Sequence, residues 1–366
     1  MPTPINPGST ASTSQHLLGL ASQAGRSGVR GLVSQAGRSG VRDLVSQAGR
    51  SGVRDLMSRA GRGGLPGLGG LPRRADLPKL PRLPFGGEEE PDPTSGHGKV
   101  ALVTGASSGI GSAAALELAK LGFTVYGVAR RVERMQTLAN LGITALRMDL
   151  TDDASMTSGV QRVIEEAGRL DVLVNNAGYG SYGAVETVPM DEARRQFEVN
   201  LFGLARLVQL VTPTMREQSS GRIINVSSVG GKIYEPLGAW YHATKFAVEG
   251  LSDSLRLELA PFGIEVVIIE PGPIDTEWTP IARRNLAERS KGTPYEARAR
   301  RLATMLKRME GPRFASSPEL VGRRIALAAT TGSPRTRYPV GVGAGTVTRA
   351  RRVLPDRALD AIVNQL

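Results

Sequence analysis

From residue 99 onward, short apolar runs alternate with longer stretches in which apolar positions recur every three or four residues. The runs are 99–104 (KVALVT), 123–129 (FTVYGVA), 143–149 (ITALRMD), 171–175 (DVLVN), 221–227 (GRIINVS) and 263–269 (GIEVVII). Between them, helical periodicity covers 112–121 and stretches near 131–141, 152–168, 190–216 and 239–260. β-Branched runs separated by amphipathic segments predict an α/β domain with a doubly wound parallel sheet and helices on both faces. In such sheets ligands bind beyond the carboxyl ends of the strands. Asn175-Asn176-Ala177-Gly178, Ser227-Ser228 and Pro271-Gly272 each follow directly on a predicted strand, so candidate chemistry converges on one edge of one domain.

The front of the chain follows a different pattern. Residues 19–66 carry a twelve-residue repeat, GLASQAGRSGVR, GLVSQAGRSGVR, DLVSQAGRSGVR and the decayed DLMSRAGRGGLP. Gly/Pro/Leu-rich sequence follows, ending in EEEPD. Two or three glycines per repeat make a continuous helix costly, by about 1 kcal/mol per glycine. With no aromatic residue before Phe85, a packed core is not expected, and residues 1–98 read as a disordered basic arm. An arginine-rich nucleic-acid arm, a targeting peptide and a spacer are all open readings of it.

Composition narrows the function classes. Of 366 residues none is cysteine and three are histidine, which excludes disulfides, thiolate metal sites and, in practice, a histidine zinc centre. No metal is expected. No run of ~18 uncharged apolar residues occurs and no secretory leader is evident in residues 1–20, so a cytoplasmic location without a transmembrane segment is the expectation. Net charge is +12, and the excess lies after Thr276, where 18 Lys and Arg face 7 Asp and Glu. Residues 277–310 form a basic amphipathic stretch, read as a solvated lid helix ahead of an anionic-substrate or membrane surface.

Two features carry chemistry. Tyr241 and Lys245 stand four residues apart, on one face of a predicted helix, with Ser228 thirteen positions upstream. A phenol titrates near 10, and an ammonium beside it is expected to lower that value toward the range acid–base catalysis needs. The second feature is the turn Gly105-x-x-x-Gly109-x-Gly111 between the first strand and its helix. Its glycines let the backbone approach a pyrophosphate, and the helix start favours negative charge. The spacing is not the common G-x-G-x-x-G, and an ordinary strand-to-helix connection is the competing reading.

Taken together, TGASSGIG (104–111), NNAG (175–178), Asn200 in VNLFG, SSVGG (227–231), YHATK (241–245) and PGPIDT (271–276) resemble the classical short-chain dehydrogenase/reductase family. The likeness is close over 99 to about 275 and looser beyond. The segments around the tyrosine are similar in flavour to hydroxysteroid and retinol-type dehydrogenases. The resemblance implies a Rossmann-like domain over 99–366, a substrate lid at about 277–335 and a last strand near 336–341. It also implies an oxidoreductase interconverting a carbonyl and an alcohol. Tyr241 would be the general acid/base, Lys245 would tune it and bond the nicotinamide ribose, Ser228 would hold the substrate oxygen, and Asn200 would place a relay water. Ser227 competes with Ser228 by motif, but the spacing favours Ser228. His242 reads as a packing or pocket-wall residue.

Cofactor contacts implied by the resemblance are Gly105, Ser107, Ser108, Gly109, Ile110, Gly111, Asp149, Asn176, Ala177, Gly178, Pro271, Gly272, Ile274 and Thr276, besides Tyr241 and Lys245. The asparagines also read as residues that satisfy turn backbone. The second predicted strand ends in VARR, with Arg130 and Arg131 and no carboxylate. A guanidinium pairs with a 2′-phosphate, so NADP(H) is expected ahead of NAD(H), with Arg130 the contact. A small lipophilic carbonyl or alcohol is the expected substrate. A homodimer or homotetramer through 190–216 and 239–260 is the expected assembly, and nucleic acid is not an expected partner. Two other classes stay open: a vestigial dinucleotide sensor, and a nucleic-acid-associated protein acting through the basic arm.

Overall fold

A computed structural model describes residues 91–311 and 313–365. The twelve-residue repeats, and the expected arm as far as residue 90, lie outside the described residues. Seven parallel strands form one sheet in the order β3-β2-β1-β4-β5-β6-β7. They are β1 Val100–Thr104, β2 Thr124–Ala129, β3 Thr144–Arg147, β4 Val172–Asn175, β5 Gly221–Val226, β6 Ile264–Pro271 and β7 Arg337–Val340. The chain order reverses between β1 and β4. Strand ends splay apart at such a point, so a crevice opens above β1 and β4.

Each face of the sheet is sealed by its own core. On one side α1 (Gly109–Lys120) and α9 (Pro318–Thr330) pack Ala114, Leu118, Val321 and Ile325 against Val103, Val174 and Val267. On the other, α3 (Asp153–Ala167), α5 (Gly203–Glu217) and α6 (Ala239–Leu259) set Val160, Leu207 and Val248 against Leu102, Leu173 and Ile223. The alternation of these strand residues between faces is the period of two that a strand buried on both sides requires.

The expected elements are present, with several displacements. The first helix begins at Gly109 rather than 112, because the glycine turn itself opens it. The helix expected over 131–141 is a 3₁₀ turn, Val132–Met135, followed by the single turn α2, Gln136–Ala139. The stretch 190–216 divides into α4 (Met190–Phe197), a π-helical turn Glu198–Phe202, and α5. β3 stops at Arg147, so Asp149 lies two residues beyond the strand rather than at its end.

Two boundaries move as well. Gly96 donates to the Leu121 carbonyl at 2.8 Å and Lys99 to Gly96 at 3.0 Å, so packing begins a few residues before the expected border at 99. The expected lid, 277–335, is too long. Its helices α7 (Trp278–Ser290) and α8 (Glu296–Arg308) share a separate apolar cluster, but α9 belongs to the sheet's own helical layer against α1. The chain closes with α10 (Ala344–Val353) and α11 (Asp356–Val363). No described helix is long and apolar enough to cross a membrane.

Candidate active site

The phosphate-binding turn is built as its glycines require. Gly105 (φ 67°) and Gly109 (φ 55°) occupy the left-handed region, and a side chain at Gly111 would overlap the Gly105 carbonyl oxygen. Ser108 stands at the N-cap of α1, yet its side chain makes no capping bond, so the first N–H groups of the helix stay open toward the crevice. A Cβ on Gly109 would lie 3.0 Å from Thr276 Cγ2, which puts PGPIDT opposite the turn. Uncapped donors, glycine-lined walls and a crevice at the switch point fit a pyrophosphate. Ser107 and Ser108 are half-buried there. Ile110 and Ile274 instead pack their side chains against the core, leaving only main chain to offer a cofactor.

Asn176 is a brace across the switch point. Its Nδ2 donates to the Thr104 carbonyl at 2.9 Å, while the Thr104 hydroxyl accepts from the N–H groups of Asn176 and Ala177 at 2.9 and 3.0 Å. Behind it, Asn175 Nδ2 donates to Asn225 Oδ1 (3.0 Å) and Asn225 Nδ2 to Ser252 Oγ (2.9 Å), a buried ladder tying β4, β5 and α6. Pro271 ends β6, and the Gly272 N–H donates to the Val340 carbonyl at 2.8 Å, which fixes the turn to β7.

Arg130 is exposed one residue past β2, and its charge acts on Asp149. Burial works to raise the Asp149 carboxyl, but the Thr151 bonds and the charges of Arg130 and Arg195 hold it below the usual carboxylate range. Its Oδ1 already accepts from Thr151 N (3.0 Å) and Oγ1 (2.9 Å).

The four expected catalytic side chains meet at the carboxyl edge. Tyr241 and Lys245 lie on the buried face of α6, 7 % exposed each. Ser228 caps the 3₁₀ turn Val229–Gly231, its Oγ accepting from Gly230 N at 3.0 Å, and its hydroxyl also hydrogen-bonds the Tyr241 side chain. Ser227 is buried beneath it. Asn200 sits in the π-helical turn, a feature often found at functional sites. It donates from Nδ2 to the Tyr179 carbonyl (2.9 Å) and Thr244 Oγ1 (3.0 Å), and accepts at Oδ1 from Tyr179 N (3.0 Å). A Cβ on Gly178 would fall 3.1 Å from Asn200 Oδ1 and 3.8 Å from Lys245 Nζ, so the NNAG turn closes over both.

The electrostatics depart from expectation. Burial pushes the Tyr241 phenol up to about 12, with the Ser228 hydrogen bond opposing and the Glu235 charge adding. Burial pulls Lys245 down to about 8, and the Glu249 carboxylate limits that fall. The expected lowering of the phenol by its lysine is therefore absent. Lys245 Nζ donates to the Val226 carbonyl at 2.9 Å, and at the phenol desolvation outweighs the Ser228 hydrogen bond.

Several site residues carried no sequence signal. The Tyr241 ring packs 5.0 Å from the Trp278 ring and 6.0 Å from that of Tyr182, whose hydroxyl donates to Glu235 Oε1 at 2.6 Å. Leu237, Leu286, Leu302 and Leu306 complete this apolar cover. Arg289 ties α7 down by donating to Ser181 Oγ and pairing with Glu192 at 3.3 Å. His242 behaves as read: Nε2 accepts from Glu235 N (3.1 Å) and Nδ1 contacts the Gly230 carbonyl (2.8 Å), pinning two loops.

Residues 99–286 match the sequence model of the family described as short chain dehydrogenase. The chain belongs to this family. It is 36% identical over 245 residues to a 3-ketodihydrosphingosine reductase of Bacteroides thetaiotaomicron, covering 66% of this chain and 88% of that one. A short-chain dehydrogenase of Streptomyces avermitilis superposes with a TM-score of 0.61 at 35% identity, over 73% of this chain and 95% of that one. A metagenomic short-chain oxidoreductase in complex with NADP (TM-score 0.53, 29% identity) covers 67% of this chain and 96% of that one. A Burkholderia phymatum short-chain dehydrogenase/reductase in complex with NAD (0.55, 27%) covers 62% and 84%. The chain is thus an oxidoreductase of a family whose fold binds a nicotinamide dinucleotide.

Proposed function

We propose that this protein is an NADP(H)-dependent reductase of a lipophilic carbonyl, with Tyr241 as the proton donor. The observation that carries this reading is the meeting of Ser228, Tyr241, Lys245 and Asn200 at the strand edge beside an uncapped helix start. The nicotinamide, when bound, supplies the hydride. Ser228 holds the carbonyl oxygen, and Tyr241 gives it a proton. A phenol raised to about 12 keeps its proton at neutral pH, which is the form reduction needs. Lys245, drawn down to about 8, stands near the balance point from which a proton is replaced, and Asn200, tied to the Tyr179 carbonyl, would place the water that links Lys245 to solvent.

Arg130 and the lack of a carboxylate at the end of β2 support NADP(H) over NAD(H). The aromatic and leucine cover on Tyr241 supports an apolar substrate, as does the name of the Bacteroides relative. A complete catalytic set argues against a vestigial sensor. A homodimer is supported by a shallow groove of about 170 Å³ between α4 and α6, where Met190, Phe202 and Trp240 line an apolar surface, and by Phe246, 43% exposed on α6.

The test is NADPH oxidation against medium- and long-chain ketones and aldehydes. Turnover with wild type, and its loss by about 10²-fold or more in Tyr241→Phe while NADPH still binds, is expected. Undiminished turnover in that variant overturns the mechanism.

A further inference from the structure

Tyr241, Lys245 and Glu249 follow one another at four-residue steps on the same face of α6, and Glu249 is 5% exposed although it touches no reacting atom. Its Oε2 takes two cations from different parts of the chain. Lys232 Nζ lies 2.6 Å away, directly after the loop that carries Ser228, and Arg337 Nε lies 3.0 Å away on β7. Arg337 also reaches Asp253 Oδ2 at 2.6 Å. A second carboxylate, Glu270, is 2% exposed next to Pro271, with Oε1 3.7 Å from Lys232 and 3.5 Å from Arg337. The joint is tight: a Cβ on Gly231 would lie 3.0 Å from Glu249 Cγ and 2.8 Å from Ser227 Oγ.

Buried charges cost several kcal/mol each to desolvate, and apolar side chains would stabilise such a joint as well or better. What an ion cluster supplies instead is a single geometry. Here it joins the serine loop, the tyrosine–lysine helix and the end of β6. We propose that Glu249 is a positioning residue for proton transfer: by clasping Lys232 and Arg337 it sets the Ser228 loop against Tyr241 and keeps its negative charge one turn from Lys245. This rests on the reading of Ser228, Tyr241 and Lys245 given above.

The charged and titratable groups that face Glu249 are Lys232 from the serine loop, Arg337 from β7, Glu270 from β6, and Asp253 with its partner Arg256 on α6. The charge of Arg352 on α10 also acts on Glu270. Removing the Glu249 carboxylate withdraws support from the Lys245 ammonium, so Lys245 titrates at lower pH.

Full-length wild type, Glu249→Gln, Lys232→Met and the double variant are to be compared with NADPH and 4-nitrobenzaldehyde as probe. Each single variant should lose about tenfold to hundredfold in kcat, with the NADPH dissociation constant within about twofold of wild type, because the lesion is one of position. The double variant should fall little further, since both partners serve one contact. Independently of turnover, the Lys245 side-chain NMR signal, assigned through Lys245→Arg, should titrate at lower pH in NADPH-loaded Glu249→Gln than in wild type. An unmoved Lys245 titration, or folded Glu249→Gln with wild-type kcat, overturns the proposal. If wild type turns over no carbonyl while that titration still moves, the proposed reaction fails and with it the role in proton transfer, and only the support of the Lys245 ammonium by Glu249 stands.

Discussion

Tyr241 and Lys245 are displaced in opposite directions by the same cause, removal from water. Below about pH 8 Lys245 is charged in folded and unfolded chain alike. Between about 8 and its ordinary 10.5 the unfolded chain binds the extra proton, so stability rises with pH through that window. Tyr241 acts only above 10, where its raised value gives stability that is lost as pH climbs toward 12. Urea unfolding at pH 7.5 and 9.5 should therefore show wild type gaining about 1–2 kcal/mol on Lys245→Met across the interval. An equal response of the two proteins would mean that the ammonium is solvated. On the proposed reading, the cofactor preference turns on one side chain. Arg130→Asp should turn any NADPH preference toward NADH by roughly tenfold to hundredfold, read as the ratio of the two kcat/KM values.

At the scale of elements, the site is held by joints between strands and helix starts. α3 begins with Asp152 at its N-cap, where Oδ1 accepts from Ala154 N (3.0 Å) and Ser155 N (3.2 Å). Asp152→Ala should cost about 1 kcal/mol in chemical denaturation without changing kcat, since no α3 side chain belongs to the apolar cluster around Tyr241. The expected lid helix α7 is tied differently, through Arg289 to Ser181 and Glu192. Arg289→Ala should raise KM for the carbonyl severalfold and leave NADPH affinity in place; a change confined to NADPH binding would mean the lid serves the cofactor. Helix limits were less legible than helix presence. The π turn at Glu198–Phe202 leaves the apolar period almost unbroken, so 190–216 reads as one helix until its hydrogen bonds are seen.

For the molecule as a whole, the exposed apolar groove between α4 and α6 predicts association. Sedimentation at micromolar concentration should give a dimer or larger species, and Phe202→Glu with Phe246→Glu should give a monomer. A wild-type monomer would leave that surface without the partner proposed for it. The doubly wound parallel sheet and the convergence of three loop motifs on one edge could be foreseen because β-branched runs and glycine turns are local properties, whereas the strand order emerges only in the fold. The role of Asn176 as a brace was legible in the same way, since asparagine after a strand end commonly satisfies turn backbone.

What the chain alone supplied is a candidate set of reacting groups: the Tyr241–Lys245 pair from helical spacing, with Ser228 and the role of each from the family resemblance. What only the folded arrangement decided is their acidity and their supports. Spacing predicted a phenol made more acidic by its neighbour, but the depth of burial, set by Trp278, Tyr182 and the lid leucines arriving from distant segments, reversed the sign. Glu249 lay one helical step past Lys245 in plain view, yet its partners Lys232 and Arg337 come from seventeen residues before it and eighty-eight after it. Desolvation and long-range pairing depend on what the rest of the chain brings to a point in space, and no local pattern records that.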